Sequence, residues 1–178
     1  MHAPPNPLNA AVEGCLDCCQ QLRRLVVSLS PEQYRSTSRD IRIGAHARHV
    51  LDHIFCLLRG VKTERINYDA RTRDPELETD PAQMLIALDL AIGQLRELRD
   101  QVEPAAEVRV VNAVAPSGQP SEFNSNWSRE LAFLAHHTMH HLAMIVIAAR
   151  GLGVEPPAHY GVAPSTLAAL QRDGQPSR

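Results

Sequence analysis

Apolar residues recur in four separate stretches of this chain with alternating steps of three and four. The first set is Leu8, Val12, Cys15, Cys19, Leu22, Val26 and Leu29, the second Ile43, Ala47, Val50, Ile54, Leu57 and Val61. The third is Met84, Leu88, Ala91, Leu95, Leu98 and Val102, and the fourth interleaves Leu134, Met144 and Ala148 with Glu130, His137 and His141. Such steps average about 3.6 residues, so each set forms one face of a helix. Four one-sided helices hide those faces only against each other, which predicts an all-α four-helix bundle.

The punctuation between these stretches fits that reading. Helices are expected over Leu8 to Leu29 and about Ile43 to Lys62. Asp80, Pro81 and Gln83 read as N-cap, first-turn proline and capping-box partner of the third, with Pro104 beyond its end. Val108, Val110 and Val111 favour extended backbone, and Pro116 to Pro120 holds Ser-Gly turn chemistry, so a short β-hairpin or irregular crossover should precede the last long helix. Ser128 is the expected cap of that helix, which runs to about Arg150 with Gly151 as its stop, and a short final helix begins near Ser165. The length of 178 residues suits a single domain, 1–178, with a core of its own.

Charge narrows the partners. A formal net charge of -2 and a pI near 6.5 give no basic field for nucleic acid and no polybasic run for a membrane surface. Met1 to Pro7 lacks the pattern of a secretory signal, and no run of about 18 uninterrupted apolar residues occurs. A cytoplasmic protein acting on a small molecule or a protein surface is expected. Cys15, Cys18 and Cys19 crowd one helix and Cys56 lies apart, so thiols are expected instead of disulfides. Cys15 and Cys19 belong to the apolar seam, which makes "CLDCC" packing and not a metal motif.

Histidine is where the pattern departs from packing. The stretch "FLAHHTMHHLAMI" places four imidazoles in six positions, and "HARHVLDH" adds His46, His49 and His53 on the second helix. His137 and His141 stack one turn apart on the inward face, His136 points outward and His140 lies at the flank. Buried imidazoles cost stability unless their nitrogens find partners, and a shared metal ion is one such partner. An i, i+4 pair supplies two ligands from one helix, and a third has to come from a neighbouring helix. The plainer alternative is a set of core or surface imidazoles satisfied by ordinary hydrogen bonds. A zincin motif is absent because His137 stands where its glutamate should be, and no Glu-x-x-His di-iron motif occurs.

These two patches resemble those of the DinB-like (DinB/YfiT) superfamily of metal-binding four-helix bundles. His137, His140 and His141 followed by "LAMI" are similar to that family's His-x-x-His-His segment, whose first and last members are ligands. His49 followed by Val50, Leu51 and Asp52 is similar to its His-Leu-Ala-Asp segment, which supplies the third. The resemblance implies a divalent metal, zinc, nickel or another, on His49, His137 and His141. The helical wheel instead favours His46 and His53 over His49, and His53 is kept as the alternative ligand. Asp52, Glu130 and His140 are candidates to support the ligands from outside. Arg71 and Arg73, in the polar stretch Tyr68 to Glu78, are candidates for an anion-recognising rim, with a solvated connector as the plainer alternative.

Three neutral imidazoles leave a coordination position open. The resemblance therefore implies a metal-dependent hydrolase or a thiol-dependent transferase using a low-molecular-weight thiol, and a homodimer by analogy. No catalytic nucleophile or acid-base pair stands out. The competing expectation is a non-catalytic bundle whose metal or histidines serve stability, sensing or assembly.

Overall fold

The computed structural model describes residues 6–172 and 174. Helix α1 spans Pro7–Ser28, its first turn capped by the Asn6 side chain. A short α2 (Pro31–Arg35), closed by a Ser30/Gln33 capping box, leads into a small hairpin of β1 (Thr37–Ser38) and β2 (Ile41–Arg42). Helix α3 is Ile43–Gly60 and strand β3 is Arg65–Asn67. After one turn of α4 (Pro75–Thr79), α5 runs over Pro81–Leu98. Strands β4 (Glu107–Asn112) and β5 (Ser121–Asn126) form the crossover, followed by α6 (Trp127–Gly151) and α7 (Pro164–Arg172).

The four long helices close into a ring in which α1 packs on α5 and α6, and α3 packs on the same two. The spatial order is thus α1, α5, α3, α6. Chain neighbours α1 and α3 sit on a diagonal, as do α5 and α6, so both connections must cross an end of the bundle. The core is the set the seams predict: Val12, Leu22, Val50, Ile54, Leu57, Leu88, Leu95 and Leu134 are wholly buried. Cys15 and Cys18 lie in it too, their thiols donating to the α6 carbonyls of Leu131 at 3.3 Å and Ala135 at 3.7 Å. Burial pushes the Cys18 and Cys19 thiols up to about 12, so they are packing groups at neutral pH.

Several boundaries differ from expectation for local reasons. Asp80 caps α5 by accepting from Ala82 N, one residue short of the capping-box geometry expected with Gln83. That helix ends at Leu98, before Val102. The cap of α6 is Asn126, which accepts from Arg129 N at 2.9 Å, whereas the Ser128 hydroxyl donates to the Pro104 carbonyl and ties the crossover to the end of the α5 segment. The expected hairpin is present as antiparallel β4 and β5, but β3 also pairs with β4, in parallel, giving a three-stranded sheet of order β3, β4, β5. This pairing joins the segment after α3 to the crossover before α6, the two helices that carry the histidines.

On α6 the innermost stripe is Leu131, Leu134, Thr138, Leu142 and Ile145. His137 and His141 lie beside it, half-buried on the side facing α3, and not at its centre as the wheel placed them. The helix is long and apolar enough to cross a membrane, yet its apolar face packs against α1 and α3, as in the core helix of a bundle. Beyond α6, Gly161 adopts φ +69° where the chain crosses that helix, and a Cβ there would come within 2.6 Å of the Ala143 backbone. Only glycine allows that crossing.

Candidate metal centre

Because α3 and α6 are neighbours, their histidines interleave. His46 Nδ1 is 2.8 Å from His141 Nδ1, and His49 Nε2 is 3.2 Å from His137 Nε2. The His53 ring lies 4.3 Å from that of His137, centroid to centroid. Five imidazoles therefore form a ladder along the α3/α6 seam. Within it, one ring nitrogen from each of His49, His53 and His137 lies within 4.8 Å of the other two. His141 is close as well, its ring centroid 4.6 Å from those of both His49 and His137. His140 and His136 are exposed, and His140 meets only the edge of the His141 ring.

Hydrogen bonding fixes several of the nitrogens. His53 Nδ1 donates to the His49 carbonyl at 3.0 Å, one turn back on α3, which leaves Nε2 bare. Arg71 reaches His49 Nδ1 with Nη1 at 3.4 Å, and since guanidinium only donates, that nitrogen accepts. His49 then carries its proton on Nε2, pointed at His137.

All the ladder rings favour the neutral form. Burial, followed by repulsion from neighbouring imidazoles, pushes His49 and His137 from the ordinary 6.5 down to about 3 and His141 down to about 4. His46 and His53 are also lowered, first by burial. Neutral imidazole is the ligating form, so these rings need shed no proton to bind a metal near neutral pH.

The surrounding carboxylates hold the frame. Asp52, buried, accepts from Arg48 Nη1 at 3.3 Å and from the Arg73 backbone N–H at 3.2 Å. Glu130 accepts from Tyr68 Oη at 3.0 Å and from Ser125 Oγ at 2.6 Å. Neither hydrogen-bonds an imidazole among the described residues. Burial and the adjoining Glu130 charge raise the Tyr68 phenol, keeping it a donor, and its ring stacks on His53 with centroids 5.5 Å apart. Glu130 thus reaches the ladder through Tyr68. Tyr68, and Phe133, which stacks on His137, carry no pattern that marks them as site residues, because aromatic residues beside a seam read as packing.

Arg71 and Arg73 both line a cleft of about 840 Å3 between the 67–73 segment and the turn joining β4 to β5, with His53 and Tyr68 in its wall. Arg71 lies nearer the histidines than a rim residue would, since it touches one of them.

A four-helix ring of this connectivity, with histidines of two adjacent helices brought together, defines a histidine-bearing helical bundle whose imidazole group could hold a metal ion. Among solved structures the chain is similar to YfiT from Bacillus subtilis, described as a probable metal-dependent hydrolase with an unusual four-helix bundle topology. The TM-score is 0.63 at 15% identity, over 86% of this chain and 92% of that one, so the likeness is one of fold. The DinB/YfiT resemblance drawn from the histidine patches is borne out at that level. Among curated proteins, FK506-binding protein 5 of Rhizopus delemar is 28% identical over 110 residues, which is 60% of this chain. The match spans only 28% of that protein's length. No family model matches the chain.

Proposed function

We propose that this protein is a divalent-metal-dependent enzyme of the hydrolase or thiol-transferase kind, with its metal held by imidazoles of α3 and α6. The observation that carries the reading is the meeting of His49 Nε2 and His137 Nε2 at 3.2 Å, with a His53 nitrogen inside the same 4.8 Å group. Two nitrogens on one tetrahedral zinc, each about 2.0 to 2.1 Å from it, lie about 3.3 Å apart, so the pair already has the spacing of one coordination edge. His49 and His137 are the shared ligands. The third is His53 as the rings stand, or His141 if its ring turns from His46, as the DinB-like resemblance implies. An all-imidazole donor set suits zinc or nickel better than magnesium or calcium, which prefer oxygen.

When bound, the ion would supply Lewis acidity, lowering the pKa of a water or a thiol to near neutrality. The chain's own residues do the rest. Tyr68 and Phe133 wall one side against solvent, and Arg71 places a positive charge beside the site. The hydrolase reading also draws on the description of the YfiT structure. A cytoplasmic location accords with four buried thiols, and a homodimer is proposed from the family resemblance alone.

A non-catalytic reading has one observation in its favour: the nearby carboxylates Asp52 and Glu130 are both engaged in holding structure. Metal content of the purified protein in chelator-free buffer, compared with His137→Ala, tests the shared premise. Bound metal that is lost in the variant supports it, and metal-free wild type overturns it. Turnover in a panel of ester, amide and thiol-acceptor substrates then separates enzyme from structural site. A melting temperature that falls on metal removal, with no turnover, favours the structural one.

A further inference from the structure

Arg71 and Arg73 enter the same cleft, and neither makes an ion pair among the described residues. Arg65, also in the cleft wall, is paired with Glu122 of β5 at 3.2 Å. The one carboxylate lining the cleft among the described residues, Asp69, accepts from the Ala113 backbone N–H at 2.8 Å and so joins the 67–73 segment to the β4–β5 turn. Arg71 Nε is buried and has no hydrogen-bond partner among the described residues. A buried guanidinium N–H without an acceptor is costly, and the acceptors that match its planar fork are the paired oxygens of an anion.

The backbone holds Arg73 in place. Arg73 has φ +53°, in the left-handed region that non-glycine residues rarely occupy, and its N–H is held by buried Asp52. Strain of this kind persists where surrounding structure fixes it, and here that structure is a carboxylate on the histidine-bearing helix. The arginine-bearing wall of the cleft is thereby tied to the histidine-bearing helix α3.

We propose that this cleft binds the carboxylate of a small carboxylic acid substrate, with Arg71 as the principal contact and Arg73 as the second. The inference rests on the proposed metal centre for its chemistry but not for its binding test. Arg71 Nη1 contacts Nδ1 of the same His49 ring whose Nε2 faces His137, so the carboxylate would lie beside the metal-binding histidines.

The test uses the 178-residue chain stripped of metal by chelator, so that carboxylate binding to a metal cannot contribute. Arginine Nε–H resonances are followed by NMR during titration with lactate, with its uncharged amide lactamide, and with inorganic phosphate. The Arg71 signal is assigned by its loss in Arg71→Gln. Expected is a saturable shift of that signal with lactate and none with lactamide. Lactate affinity, read from ring-proton shifts of the neighbouring histidines, should fall about tenfold or more in Arg71→Gln and several-fold in Arg73→Gln. Arg71→Lys keeps the charge without the fork and should also bind lactate more weakly. It decides the matter if the glutamine variant does not fold. Equal response to lactamide, unchanged affinity in folded Arg71 and Arg73 variants, or preference for phosphate over lactate overturns the proposal. None of these outcomes alters the metal-content comparison with His137→Ala, so failure of the carboxylate site and failure of the metal site are told apart.

Discussion

His49 is engaged at both ring nitrogens. Arg71 donates to Nδ1, which keeps the proton on Nε2, yet ligation through Nε2 requires the proton on Nδ1. Metal binding therefore displaces the arginine from that contact, and its positive charge opposes the ion in any case. Arg71→Gln should tighten zinc binding by about tenfold, measured by competition with a chromophoric chelator at low ionic strength. Weaker binding would mean that Arg71 supports the ligand and does not oppose it. Ligand changes should have the opposite sign: His49→Ala and His137→Ala should each abolish high-affinity binding. His53→Ala and His141→Ala separate the two candidate triads, since only the true third ligand should cost affinity by a comparable amount. The sequence pointed to His49, His137 and His141, with His53 only as the substitute for His49, because a wheel counts angles along one helix; the grouping of His49 and His53 together with His137 came from the structure. The sequence could not show that the ladder lies beside the innermost stripe of α6, since that depends on which neighbour α6 meets.

At the scale of elements, the helices were legible because each carries its own period, while contacts between connectors were not. The seams and the hairpin can be read from residues a few positions apart. The parallel pairing of β3 with β4 joins Ile66 to Val110, and a three-residue strand has no period to detect. Asp52 was equally opaque. It stands in the resembling His-Val-Leu-Asp patch, but its observed work is to hold the Arg73 backbone and the Arg48 side chain. Asp52→Ala should destabilise the protein by about 1 to 3 kcal/mol in urea denaturation, because it removes a buried acceptor from two donors. It should also speed amide hydrogen exchange across residues 69–74 more than in α5. Uniform acceleration throughout the bundle would show that Asp52 acts on global stability and does not anchor that segment.

For the whole molecule, the ladder makes folding depend on pH. In the unfolded chain each histidine titrates near 6.5, whereas His49 and His137 do so near 3 and His141 near 4 in the folded protein. Below about pH 6.5 the unfolded state binds more protons than the folded state, so acid favours unfolding. The stabilisation is present above 6.5, declines as pH falls from there, and is fully lost only below about 3 to 4. Metal-free protein should accordingly show a falling urea midpoint between pH 7.5 and pH 5. A metal bound to the folded state adds stability that grows with its free concentration, and the neutral ladder should preserve this added term over part of the same acid range. Metal-loaded protein is thus expected to keep a higher midpoint than metal-free protein at pH 6, with the gap closing as the ligands protonate. A flat metal-free profile over pH 7.5 to 5 would mean that the imidazoles are as well solvated as in the unfolded chain. It would also remove the main energetic reason for the chain to gather them around an ion.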